Sequence, residues 1–353
     1  MAAAHKTGLF QSIEPQLQGS LLIRDELYGN FDISEPVLVE LLQCPAVQRL
    51  GEVGQHGVTG FLGLTSPVTR LEHSIGALLL VRGAGASLEE QVVALLHDIA
   101  HTAFSHVIDW AFASNGDADE SFHEVHKMRY VNSTELPAIL SKHGFAGGKV
   151  FEEELFGLVE RPAPHLCADR LDYSLRDMVR PGHLGPADIR ELLAHLVPYP
   201  DASAEDRLFV MNDVQAAETL AREYMAADRD MWSNPAHIEM YRRTGQLIGT
   251  IIRRGGVKEE QLWSLSDKEL WEALRKEGTD EEREVMKNLE ENGLPAEDNL
   301  PSGTKIRTID PEVLVSSEVK PVPLSSLSKQ WAKDQENYIL ARKNIQGKAS
   351  ETA

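Results

Sequence analysis

The 353-residue sequence has two cysteines, a shortage of basic residues and no long apolar run, and each shortage excludes a class of protein. Cys44 and Cys167 are too few and too far apart for a disulfide framework or a thiolate zinc site, which fits a reducing compartment. Lysine and arginine total 35 against 55 acidic residues, a net charge of −20. A field of that sign argues against non-specific binding of nucleic acid or of an anionic membrane. No run approaches the ~18 apolar residues of a membrane span, and the opening MAAAHKTGLFQSIEP has no apolar leader core. The expectation is a soluble, cytoplasmic protein without a membrane partner. Fixed-period repeats and low-complexity linkers are also missing. An anionic substrate would therefore need positive charge supplied locally.

What is present reads helical, and 42% hydrophobic residues afford a sizeable core. Strand signals are confined to SLLIRDELYGNFDI (20–33), a hairpin centred on Gly29-Asn30, and to KIRTIDPEVLV (305–315), which alternates. VLVELLQCPAVQRL (37–50) has helical spacing broken at Pro45. HSIGALLLV (73–81) and LEEQVVALLHDIAHTAF (88–104) read as two buried helices, followed by further helices in ESFHEVHKMRYV, VFEEELFGLV, HLCADRLDYSLRDMV and DIRELLAHL. The fold class is mainly α, with short β elements near the N-terminus and at about 304–316. The divisions are a lead over 1–19, a core over 20–255, a helical and extended segment packed on it over 256–325, and a frayed polar tail over 326–353.

ALLHDIAHTAFSH (94–106) sets a carboxylate and three imidazoles into an apolar run. An ionised carboxylate in such a setting costs several kcal/mol unless paired, so Asp98 needs a partner. An arginine or a helix cap would serve, with His97 as a hydrogen-bonded core histidine. A divalent cation shared with His97 would serve equally, its other ligands coming from other helices. RLEHS (70–74) upstream and ADRLDY (168–173) downstream place further imidazole and carboxylate groups in apolar helices. His101 lies one turn after His97, and Asp109 one turn after His106, where it can orient that imidazole. Tyr173 and Asp177 lie on the same helical face as Asp169.

These motifs, in this order, resemble the HD-domain metal-dependent phosphohydrolases, most closely the deoxynucleoside triphosphate triphosphohydrolases. RLEHS (70–74), HDIAHTAFSH (97–106), FHE (122–124) and DRLDYSLRD (169–177) match four separate elements of that family. Residues 24–57 and KIRTIDPEV are similar to its entry segment and late strand, so the resemblance spans roughly residues 20–320. It implies an HD-domain helical bundle in which His73, His97, Asp98 and Asp169 hold one divalent transition metal: Fe, Mn, Zn or Co. It implies cleavage of a phosphate ester or anhydride of a nucleotide by a metal-activated water. His101, His106 and His123, with Asp109, would stabilise charge and protonate the leaving group, and Glu124 would support them. Arg70 and Arg170 would contact phosphate, Tyr173 and Gln55 the sugar and base, and Asp177 the sugar or Arg170. A second ion such as Mg would ride on the substrate phosphates.

The sequence departs from the family in places. Ala100 replaces the motif glycine. Leu21, Gln43 and Gly51 stand where an activating nucleotide is read in vertebrate members, so nucleotide-driven tetramerisation does not carry over, although a homo-oligomer stays compatible. WSNPAHIEMYRRTGQ (232–246) matches poorly, with Tyr241, Arg242 and Arg243 near the expected positions. Two other activities share this metal shell. A di-iron oxygenase would need a second shell, to be sought at His123 and His126, and a nucleotide phosphodiesterase would differ in pocket shape.

Overall fold

The computed structural model describes residues 9–113, 121–145, 148–316, 318 and 320–347. Three antiparallel strands, β1 (Phe10–Pro15), β2 (Leu21–Asp25) and β3 (Gly29–Ile33), form a small sheet in that order. Leu21, Ile23 and Asp25 face inward from β2. The hairpin turn falls at 26–28, where Asp25 Oδ1 accepts from Leu27 N at 2.9 Å, and Gly29 (φ +90°) opens β3 opposite Asp25. The turn thus centres on Leu27, ahead of the Gly29-Asn30 pair the sequence suggests, which lies in β3. Helix α1 (Pro36–Gln43) stops at Cys44, and Pro45 starts α2 (Pro45–Gln48), as the proline break predicts. A 3₁₀ turn over 49–52 and α3 (Gly57–Phe61) follow.

The central pair is α4 (Arg70–Gly83), capped by Thr69, and α5 (Leu88–Leu96), capped by Ser87. Both are buried almost all round, so neither shows a clean amphipathic stripe. The sequence extends α5 to 104, but it ends at Leu96. Residues 97–106 continue as tight turns, with left-handed backbone at Phe104 (φ 61°) and Ser105 (φ 49°). Tertiary acceptors explain the early stop: Leu262 O takes Ala103 N at 2.9 Å, and Asp267 Oδ1 takes Phe104 N at 2.7 Å. Then come α6 (Val107–Phe112), α7 (Phe122–Val131) and α8 (Leu136–Lys142). The helix expected over 150–159 is absent; two 3₁₀ turns, 149–151 and 153–155, replace it. There Glu90 accepts from Leu158 N and Glu153 from Lys127 Nζ, drawing the segment onto α5 and α7.

Helices α9 (Ala168–Met178) and α10 (Pro186–Ala194) lead into β4 (Leu196–Tyr199) and β5 (Leu208–Met211). Next are α11 (Val214–Ala227), a π turn over 228–232, and α12 (Pro235–Arg253). Gly245 and Gly249 let α12 press on α6: an added Cβ would lie 2.4 Å from Trp110 Cβ or from Ala111 O. After α13 (Gln261–Ser264), α14 (Asp267–Glu277) and α15 (Asp280–Asn292), the chain runs extended over 304–316. Only Glu312–Val313 there forms a strand, β6, and β7 (Val322–Pro323) completes a second sheet in the order β4-β5-β6-β7. After α16 (Leu324–Leu327), the segment read as a frayed tail over 326–353 instead forms α17 (Lys329–Lys343), anchored by fully buried Trp331, and residues 348–353 of that reading lie outside the described residues. The fold class is therefore mainly α as read, and the second sheet is the addition. Among the described residues no helix is long and apolar enough to cross a membrane.

Candidate metal centre

Three elements bring four donors together. His73 is in the first turn of α4, His97 and Asp98 stand where α5 ends, and Asp169 is in the first turn of α9. His73 Nε2 lies 3.1 Å from His97 Nε2 and 3.1 Å from Asp169 Oδ1, while His97 Nε2 is 3.5 Å from the same oxygen. Asp98 Oδ2 closes the group at 3.4 Å from His73 Nε2 and 3.9 Å from His97 Nε2. The other ring nitrogens fix the tautomers. His73 Nδ1 donates to Asp172 Oδ2 at 2.8 Å, and His97 Nδ1 to Ala94 O at 2.8 Å, so both Nε2 atoms are turned toward the carboxylates of Asp98 and Asp169.

Electron-rich atoms at these spacings repel one another unless a cation lies among them; His73, His97 and Asp169 form one such group, with Asp98 at its edge beside His73 and held by Arg70. A single proton relieves one pair, whereas a divalent ion relieves the whole group. Bonds of about 2.0–2.2 Å would set neighbouring ligands roughly 3.0–3.5 Å apart, as the three closest contacts are. Burial alone would lower the His97 imidazole, but Asp98 and Asp169 overcome it and lift its pKa to about 10. The donors therefore fit a divalent metal, and mixed imidazole and carboxylate ligands suit Fe, Mn, Zn or Co.

Behind this shell is a buried ionic cluster that was not assigned a role from sequence. Asp172 accepts from His73, from Tyr28 Oη at 2.7 Å and from Arg176 Nε at 3.0 Å. Arg176, fully buried, also donates to Glu72 and Asp25, each at 2.9 Å. Gly76 makes the approach feasible, since a Cβ there would sit 1.7 Å from Asp172 Oδ1.

On the other side of Asp98 stand the basic groups. Arg70, 2% exposed, donates Nη1 to Asp98 Oδ2 at 2.5 Å and Nε to Ser105 Oγ at 3.0 Å. Its Nη2 is buried without a partner among the described residues. His101 does not share the His97 face as helical spacing predicts, because the helix has ended; its Nε2 lies 3.3 Å from Asp98 Oδ1. Burial, Arg70 and His123 hold its pKa well below the usual imidazole value, so His101 is a neutral group rather than a positive charge. The His101 and His123 rings stack at 3.6 Å, with His106 at 5.0 and 5.4 Å from them. His106 Nδ1 meets Asp109 Oδ2 at 3.0 Å, and Asp109 Oδ1 accepts from Phe122 N at 2.8 Å. Glu124 pairs with His123 and with Lys127. His126 packs against Phe122 and Trp263 instead, so it builds no second shell with His123. Asp98, His101 and His123 form a second donor group of their own, within 4.8 Å of one another.

An aromatic wall adjoins the shell. The Tyr173 ring is 6.3 Å from His73 and 5.1 Å from Trp232, and its hydroxyl meets Tyr224 Oη at 2.7 Å. Asp177 accepts from Trp232 Nε1 and pairs with His56 Nε2, both at 2.7 Å, and does not reach Arg170. Gln55 Oε1 is buried without a partner among the described residues. Arg170 turns away, donating to Arg161 O, His165 O and Cys167 Sγ in the loop before α9. Tyr241 Oη donates to His56 O at 2.6 Å, while Arg242 and Arg243 are tied to Glu239. Glu160 also escaped the sequence reading: burial and the nearby Asp169 raise its pKa to about 8. No local motif marks it, nor His56 and Trp232.

A family model described as the HD domain matches residues 70–173. The chain is 51% identical over 344 residues to the metal-dependent phosphohydrolase cns2 of Cordyceps militaris, covering 97% of this chain and 99% of that protein. It is 33% identical over 301 residues to the uncharacterized protein YdhJ of Bacillus subtilis, covering 84% and 89% of the two chains. A more distant likeness, 27% over 173 residues, joins 43% of this chain to 27% of the deoxynucleoside triphosphate triphosphohydrolase SAMHD1 of Danio rerio.

Proposed function

The chain belongs to the HD-domain metal-dependent phosphohydrolases, and from that premise we propose that it hydrolyses a phosphate ester or anhydride of a nucleotide or nucleotide-like substrate. The observation that carries this reading is the convergence of His73, His97, Asp98 and Asp169, with the unpaired Arg70 Nη2 beside it. A divalent ion held by those four residues would activate water and polarise the phosphoryl group. Arg70 binds a phosphate oxygen through Nη2. His123 and His106 lie beyond His101, and the half-exposed His106, oriented by Asp109, delivers the proton to the leaving oxygen. The Tyr173 and Trp232 rings give a nucleoside a flat surface, and Gln55 Oε1 waits for a donor from sugar or base.

Charge bears on the length of the phosphate chain. Arg170, Arg242 and Arg243 all have protein partners, whereas Arg70 Nη2, beside the shell, has none among the described residues. That favours a substrate with few phosphate charges, whereas the distant likeness to a triphosphohydrolase favours a triphosphate. Both buried thiols, Cys44 and Cys167, are free, in keeping with a reducing compartment such as the cytoplasm.

The test is a product assay. Protein loaded with Mn²⁺, Fe²⁺ or Co²⁺ is offered nucleoside mono- and triphosphates and cyclic nucleotides, and released phosphate, triphosphate or opened ring is identified. Asp98→Ala and Asp169→Ala are expected to reduce turnover to background while circular dichroism stays native. Full turnover in either variant overturns the site.

A further inference from the structure

A carboxylate far along the chain grips both loops that frame the site. Asp267, at the start of α14, accepts from Gly54 N through Oδ2 at 2.9 Å and from Phe104 N through Oδ1 at 2.7 Å. Gly54 precedes Gln55. Phe104 and Ser105 are consecutive non-glycine residues with positive φ, directly before His106. Such backbone persists only where its surroundings impose it. The loops are also tied to each other, since Ser105 Oγ donates to Gly54 O at 2.8 Å and receives Arg70 Nε. Nearby, Leu262 O accepts from Ala103 N at 2.9 Å and Trp263 Nε1 donates to Ala100 O at 2.8 Å.

We infer that Asp267 is a positioning residue for the hydrolytic site, holding the 54–56 and 104–106 loops so that Gln55, Ser105, Arg70 and His106 face the substrate together. The inference rests on the phosphohydrolase reading of the site. Asp267 is 7% exposed and touches no proposed metal ligand; it acts through backbone amides alone. Burial raises its pKa to about 7, and the two N–H donors and the Arg70 charge are what favour its ionised form. On its own helix, Lys268 pairs with Glu272 and Glu269 caps Ser266, so Asp267 is not held by neighbours on α14. The close fit at Gly54 agrees: a Cβ there would press on Asp267 Oδ2 at 3.0 Å.

Asp267→Asn keeps the shape but turns an N–H donor toward one of the two amides. The expected result is a fall in kcat of at least about ten-fold, with KM raised as well and bound metal per chain unchanged. The loss in kcat follows from a displaced His106 and the rise in KM from displaced Gln55 and Arg70, whereas the residues of the metal shell have their own supports. Hydrogen exchange in the variant should speed up in peptides covering 54–58 and 103–108, and not in those covering 73–81 and 168–178. Gly54→Ala, which pushes the carboxylate aside without removing it, should reproduce both effects in weaker form and carries the test if Asp267→Asn does not fold. A kcat within about two-fold of wild type, metal lost in proportion to activity, or faster exchange throughout the chain overturns the inference. Should the wild-type protein hydrolyse none of the phosphates offered, the proposed function fails, and the exchange pattern still decides whether Asp267 holds the loops.

Discussion

Asp172 shows how much of the candidate metal site lies one residue behind the ligands proposed for it. It fixes the tautomer of His73 through Nδ1 and is itself held by Tyr28 and Arg176, all buried. Outer partners of metal-binding histidines set ring orientation and basicity, and losing one weakens metal affinity by roughly 10–100-fold. Asp172→Ala should do this, as measured by chelator competition, with the four ligands intact; unchanged affinity would show that the packing of α4 alone orients His73. Helical spacing put Asp169, Tyr173 and Asp177 on one face, while Asp172 and Arg176 were given no place on it. Which of them would reach a metal and which would stand behind it was not legible, because that depends on the depth at which α9 packs against α4. The missing Cβ at Gly76 sets that depth.

At the scale of elements, the start of α5 at Leu88 agrees with the reading, while α4 starts at Arg70 rather than His73 and α5 ends at Leu96 rather than 104. Thr69, Ser87 and Ser266 each cap the helix that follows through a side-chain oxygen, a local interaction that sequence encodes directly. The end of α5 at Leu96 depends on acceptors supplied by Leu262 and Asp267, which no local pattern announces. Strands β4 and β5 are four residues each and pair across a loop, too short for alternation to stand out. The polar look of α17 concealed a single buried anchor, Trp331. Tyr338 and Arg342 on the same helix reach Asp228 and Ser233 at the π turn. Trp331→Ala should destabilise the protein by about 3 kcal/mol in denaturant titration, the low end for such a truncation. The indole N–H has no partner among the described residues, so its removal also relieves an unmet donor. Metal content should not change, because α17 docks on α11, α16 and the π turn, away from the shell.

The whole molecule carries a charge of −20, and this opposes the approach of the anionic substrate proposed for it. The opposition acts at long range, while the attraction of the proposed site is local, coming from Arg70 and from the divalent ion that the shell would hold. Salt separates the two. The screening length falls from about 30 Å at 0.01 M to about 8 Å at 0.15 M, so added salt removes repulsion from distant carboxylates before it weakens contacts inside the buried shell. A basic protein steering an anion loses kcat/KM as salt rises; here kcat/KM for the phosphate substrate should rise over that interval, with kcat nearly constant. Stopped-flow or initial-rate measurements at fixed free metal would test it. A steady fall in kcat/KM would mean that the local cations already dominate the field at the mouth of the site, and that the acidic surface lies too far from it to matter.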